Sequence, residues 1–138
     1  MNTKELIEDF AETIEGLGYE VGVGEDSLTF RVGGFPVVAT VSEDSRLVIN
    51  CRVMNADKIT NDEFFVEALD LNSVLSPYAL ALLTPEKDGV EGDPLLVLTD
   101  TLPIGDLSKQ EIGESVESLR NALVSSEGAI KTAVDCNS

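Results

Sequence analysis

The chain has 138 residues, enough for a single domain over 1–138 that buries about two-thirds of its unfolded surface without disulfides or metals. Its net charge of −17, with 9 basic residues against 26 acidic ones, argues against nucleic acid and anionic membranes, because phosphate binding needs clustered Lys and Arg. There is no histidine, which removes Ser-His and Cys-His nucleophile systems and the commonest zinc ligand.

In chain order, the first predicted element is a helix. Asn2 and Glu5 have capping-box spacing, and Leu6, Ile7, Phe10, Ala11, Ile14 and Leu17 form one apolar stripe. Glu5, Glu8, Asp9, Glu12 and Glu15 occupy the other side, which reads either as a solvated face or as a docking surface for a basic partner. Gly16 and Gly18 end the helix.

Three strands follow. Leu28, Phe30 and Val32 alternate with polar residues, and Phe35, Val37, Ala39 and Val41 and then Leu47, Ile49, Cys51 and Val53 continue the apolar set. Gly33-Gly34 suits a two-residue hairpin that pairs Val32 with Phe35, Phe30 with Val37 and Leu28 with Ala39. A three-residue loop at Glu43-Asp44-Ser45 then pairs Val41 with Leu47 and Ala39 with Ile49, whereas a four-residue loop sets Val41 against Arg46. On the opposite face this register puts Arg31, Pro36 and Arg52 in one cross-strand row, and Arg46 joins them on that side. The row reads in two ways. The arginines pair with Glu20, Glu43 or a neighbouring acidic helix, or they form a patch for an acidic or extended segment of a partner protein.

The centre of the chain is the segment from Thr60 to Leu107. Thr60 and Glu63 have capping-box spacing, and Phe64, Phe65, Ala68, Leu69 and Leu71 follow at helical spacing, with an expected stop near Asn72. Pro77 cannot continue a helix, and Tyr78 to Leu83 has strand length: Tyr78, Leu80 and Leu82 point one way, Ala79, Ala81 and Leu83 the other. Leu95 to Leu98 repeats the pattern. Strands apolar on both faces are normally covered on both, so a second subunit is expected over this region, with Phe65, Leu69, Tyr78, Leu80 and Leu82 as the candidate dimer interface. Ser108 and Glu111 cap a last helix carrying Ile112, Val116, Leu119, Ala122 and Leu123. From Glu127 to Ser138 the pattern weakens to a short extension or a frayed tail.

Catalytic and metal-binding signatures are missing. Cys51 and Cys136 are too far apart for a metal knuckle and read as free thiols, the glycines at 16, 18, 22 and 24 follow a helix rather than cradle a phosphate, and EKDGVEGD at 86–93 lacks the spacing of a calcium loop. No catalytic residue, cofactor or metal is assigned. No apolar run reaches membrane-spanning length and no signal-peptide core is present, so a cytoplasmic location is expected.

The order helix, three strands, helix, two strands, helix resembles the class I type III secretion chaperones, the Tir-chaperone-like family, and the related small bacterial proteins of the YbjN and YjfI kind. The likeness is sharpest at ALDLNSVLSPYALALL and PLLVLTDTLPIGDLSKQEIGESVESLRNAL, where Leu69, Leu71 and Asn72 match a helix-end motif and Leu102-Pro103 a strand-exit motif. The chain departs from the chaperone pattern in its long loop before Leu95 and in lacking glycines between Ser73 and Pro77. The resemblance implies an α+β fold with an antiparallel twisted sheet and helices packed on it. It also implies a non-enzymatic homodimer that binds an extended segment of a client protein or, as the alternative, a stand-alone stress or regulatory adaptor with no secretion client.

Overall fold

In the computed structural model, which describes residues 3–59, 63–84, 86–87, 89–104 and 108–135, the first helix, α1, covers Thr3–Gly16. It buries Ile7, Phe10, Ala11 and Ile14 at the expected spacing. Gly18, at φ 100°, turns the chain out of the helix, and its N–H bonds back to the Glu15 carbonyl. Asn2 and Thr60, expected as caps, and Cys136 in the tail lie outside the described residues.

Four strands follow: β1 (Gly22–Val23), β2 (Ser27–Val32), β3 (Phe35–Val41) and β4 (Arg46–Asn55). Gly33 and Gly34 both take positive φ, as a two-residue turn between right-twisted strands requires. The register is the one that keeps apolar residues on one face: Val32 opposite Phe35, Phe30 opposite Val37, Leu28 opposite Ala39, then Ala39 opposite Ile49 and Val41 opposite Leu47. β1 is an addition to the expected strands, too short for alternation to show.

After a 3₁₀ turn at Ala56–Lys58, helix α2 covers Glu63–Leu75. It runs one turn beyond Asn72 because Leu75 is still a core residue, and the stop comes from Pro77. Strand β5 (Ala79–Leu83) comes next, then a minimal hairpin of β6 (Glu86–Lys87) and β7 (Val90–Glu91), and then the long strand β8 (Leu95–Pro103). Helix α3 covers Lys109–Asp135 and opens on Ser108, whose Oγ accepts the Glu111 N–H at 3.1 Å. The helix continues through most of the stretch expected to fray. Ser126, just before that stretch, is fully buried and donates its hydroxyl to the Leu123 carbonyl.

The main sheet is fully antiparallel in the order β1-β2-β3-β4-β8-β5. The chain's last strand is thus inserted between β4 and β5. α1 packs over β1 to β3, α2 against β5, and α3 against β8 and both other helices. Their buried residues join one core with the inward side chains of β2, β3, β4, β5 and β8. The architecture is therefore the expected α+β order, an open antiparallel sheet with helices on one face. Among the described residues, no helix is long and apolar enough to cross a membrane.

Candidate functional site

β5 is an edge strand, and α2 runs beside it. The α2 sequence is apolar on more of its circumference than its own core can use: Phe64, Ala68 and Leu75 point in, while Phe65, Val66, Leu69 and Val74 stay in water. On β5 the inward-facing Leu80 is 7% exposed, but Leu82, two residues on and on the same face, is 55% exposed. Between helix and strand lies a groove of about 240 Å³, with Leu80 and Ala68 at its floor and Phe65, Leu69, Asn72 and Leu82 around it. Exposed apolar residues scattered singly need no explanation; a groove of them beside an open strand is a different matter, because both invite a partner.

The backbone of that edge has a specific occupant. The Leu80 N–H donates to Asn72 Oδ1 at 2.8 Å, and Asn72 Nδ2 reaches the Leu80 carbonyl at 3.4 Å. Since alternate residues of a strand bond to opposite sides, Ala79, Ala81 and Leu83 face β8 while Leu80 and Leu82 face the edge. The Tyr78 N–H, next in that outward set, is taken by the Leu75 carbonyl. The Asn72 carboxamide therefore stands where a neighbouring strand would, and on β5 the Leu82 backbone is left facing the edge.

Under the start of β5 a buried polar chain fixes the strand to α3. Tyr78 Oη lies 3.0 Å from Ser115 Oγ; Ser115 in turn donates to Asp100 Oδ2 at 3.4 Å, and the Thr101 N–H donates to Asp100 Oδ1 at 2.8 Å. Burial raises the Asp100 carboxyl above the ordinary carboxylate range despite these two donors. It raises the Tyr78 hydroxyl as well, and pushes the Cys51 thiol up to about 12. The groove beside α2 does not reach Asp100 or Ser115, so the cluster holds the groove's floor in place rather than opening into it.

No family model matches the chain, and no curated protein matches it by sequence. Among solved structures it superposes on YbjN from E. coli, a candidate transcription regulator, with a TM-score of 0.57 and 12% identity over 88% of this chain and 90% of that one. An uncharacterised protein from Methanothermobacter thermautotrophicus gives 0.59 and 12%, over 96% and 99%. The chain has a YbjN-like fold. At this identity the likeness concerns the fold alone; it supports the YbjN side of the resemblance and not the assignment to secretion chaperones.

Within the YbjN-like fold the residues expected at a dimer surface divide. Phe65, Leu69 and Leu82 come together on the open groove, whereas Tyr78 is 1% exposed and belongs, with Leu80, to the core. Tyr78 departs from the expectation for a physical reason: its ring lies under α3, where its hydroxyl has a partner. Arg31, Arg46 and Arg52 are all exposed and alternate with core residues, which puts them on the sheet face away from the helices. Arg31 sits opposite Pro36, and the β3–β4 ladder ends at Val37 opposite Cys51, so Pro36 and Arg52 are the next positions in line. Arg31 donates to the Gly34 carbonyl at 2.8 Å, and Arg46 pairs with Asp44 at 3.4 Å, both local contacts. Asp44, which also accepts from the Ser42 hydroxyl, is held below its ordinary range by that bond first and Arg46 last.

Other hollows lie elsewhere among the described residues. One of about 690 Å³ runs along the short β1, between Tyr19, Glu20 and Arg31; another of about 520 Å³ lies between the Gly33 turn and α3 at Arg120 and Leu123. No group of His, Cys, Asp or Glu that could hold a metal ion occurs among the described residues. Asn72 is the functional candidate that sequence reading placed in a structural role, as the end of a helix. Its position just before the break at Pro77 and the start of an edge strand was the available signal.

Proposed function

We propose that this chain is a non-enzymatic protein-binding module that takes an extended segment of another protein along the edge formed by α2 and β5. The observation that carries this reading is the pairing of an open, apolar edge strand with a groove whose rim, Phe65, Leu69 and Leu82, is left in water. In strand addition the incoming backbone supplies main-chain hydrogen bonds and alternate side chains fill the groove. The net charge of −17 supports a protein partner over nucleic acid. If the chain shares the regulatory role ascribed to YbjN, its charge favours acting through another protein rather than on DNA.

A second copy of the chain is the competing occupant, as in a stand-alone adaptor that functions as a homodimer. β5 favours it in one respect, because the sequence Ala-Leu-Ala-Leu-Leu can pair antiparallel with itself while keeping leucines on the groove face. The test is to compare wild type with Leu82→Lys, first by light scattering and then by affinity capture from the native cells at moderate salt. A stoichiometric partner lost on Leu82→Lys supports the client reading, and a dimer that dissociates on the same change supports self-association. A monomer that retains nothing in either form refutes both.

A further inference from the structure

The bonds between Asn72 and Leu80 say more about the partner than the groove does. A carboxamide carries one carbonyl acceptor and an N–H donor with the planar geometry of a peptide group. Here both are spent on the N–H and the carbonyl of a single strand residue, at 2.8 and 3.4 Å. That is the exchange two facing residues of an antiparallel ladder make. The groove face beside it is lined by Phe65, Leu69 and Leu82, so the next group along would be an apolar side chain. α2 and β5 together carry Glu63, Glu67 and Asp70 and no basic residue, in a chain of net charge −17.

We propose that Asn72 is a resident stand-in for the partner's backbone, and that the segment which displaces it is extended, apolar at the alternate residues that face the groove and basic overall. The proposal rests on the α2–β5 edge being the binding site. In the empty protein the carboxamide satisfies Leu80 and keeps the edge from pairing indiscriminately, as edge strands otherwise do. On binding, the partner's peptide group takes over both bonds and the Asn72 side chain swings into solvent. The hydrogen-bond exchange is near balanced, so affinity comes from the apolar side chains in the groove and from charge. Selectivity comes from the requirement that the segment be extended at the point where the carboxamide leaves.

The probe is a fluorescein-labelled ten-residue peptide alternating Val and Lys, titrated into wild type, Asn72→Ala and Leu82→Lys, each first shown to melt cooperatively. Asn72→Ala removes the competitor, and with one to two net hydrogen bonds no longer exchanged its affinity is expected to rise roughly three- to tenfold. Leu82→Lys is expected to bind at least about tenfold more weakly, because it puts a like charge in the apolar groove. The same peptide N-methylated at alternate residues on its pairing edge is expected to lose the gain in Asn72→Ala. In wild type the Asn72 side-chain amide signals should move to solvent-exposed positions on titration while the Leu80 amide stays protected from exchange.

Sensitivity to Leu82→Lys without any gain in Asn72→Ala overturns the stand-in role and leaves the binding edge intact. Equal binding of the N-methylated peptide to Asn72→Ala also overturns that role. No binding to any form, or binding indifferent to Leu82→Lys, removes the edge and the stand-in together.

Discussion

Leu80 and Leu82 offer the sharpest check on where the core ends. They share a strand and a face, yet Leu80 is 7% exposed and stands opposite the fully buried Leu98, while Leu82 is 55% exposed opposite Leu96. Leu80→Ala strips a nearly buried side chain from the groove floor between α2 and β8, so the cost combines its transfer energy with part of a cavity term and should lie near 3 kcal/mol, within the usual range of about 2–5. In Leu82→Ala about half of the side chain is already in water and the space left opens to solvent. The cost is then about half of a leucine's transfer energy at most, roughly 1 kcal/mol. Urea unfolding of both variants at two protein concentrations, with the dependence on urea unchanged, should separate them by about 2 kcal/mol. Equal costs would refute the reasoning, because Leu82 would then be as covered as Leu80. A cost for Leu82→Ala that grows with protein concentration would mean that a second copy does the covering.

The Asp100 carboxyl, raised by burial above its ordinary value of 3.8, makes stability depend on pH with a definite sign. The folded state holds this proton more tightly, so its contribution is fully present below the unfolded value and is lost as pH rises through the folded one. Asp100→Asn keeps the acceptor for the Thr101 N–H and has no charge to bury; it should melt higher than wild type at pH 7, with the advantage vanishing below about pH 4. A lower melting temperature at pH 7 would show that the ionised carboxylate is needed. Cys51, buried and with its thiol pushed up to about 12, should react with a disulfide reagent at pH 8 only as fast as the protein opens, measured in a Cys136→Ser background. Reaction at the rate of a free thiol in native buffer would contradict the burial.

The meander was legible because two facts of chemistry act locally there. Alternation fixes which side chains share a face, and Gly33-Gly34 and the three-residue turn at Glu43 then leave one register that keeps them together. The same period of two misleads at Tyr78. It shows that Tyr78, Leu80 and Leu82 face one way, but not that the helical layer covers the first two and stops short of the third. Which strand lies beside which is set by contacts distant in sequence, so the insertion of β8 between β4 and β5 could not be read. β1, two residues long, offers no pattern at all. α3 outlasts its apolar stripe because Ser126, a polar residue, packs in the core by bonding to its own helix. Asn72 was visible as a helix-end residue, but its bonds depend on how the chain returns after Pro77, which no local propensity reports.

The strand order also sets a sequence of events in time. β2, β3 and β4 are joined by short turns and close against each other at little entropic cost, whereas every partner of β4 in β8 arrives only after the whole of α2 and β5. Substitutions in the meander should therefore slow folding, and those along β5 and β8 should mainly speed unfolding. During synthesis β4 leaves the ribosome with one side unpaired and waits for a strand made some forty residues later, about two to eight seconds at ordinary elongation rates. The α2–β5 edge is then assembled late, only once β8 has been made, and should be among the first parts of the domain to come apart.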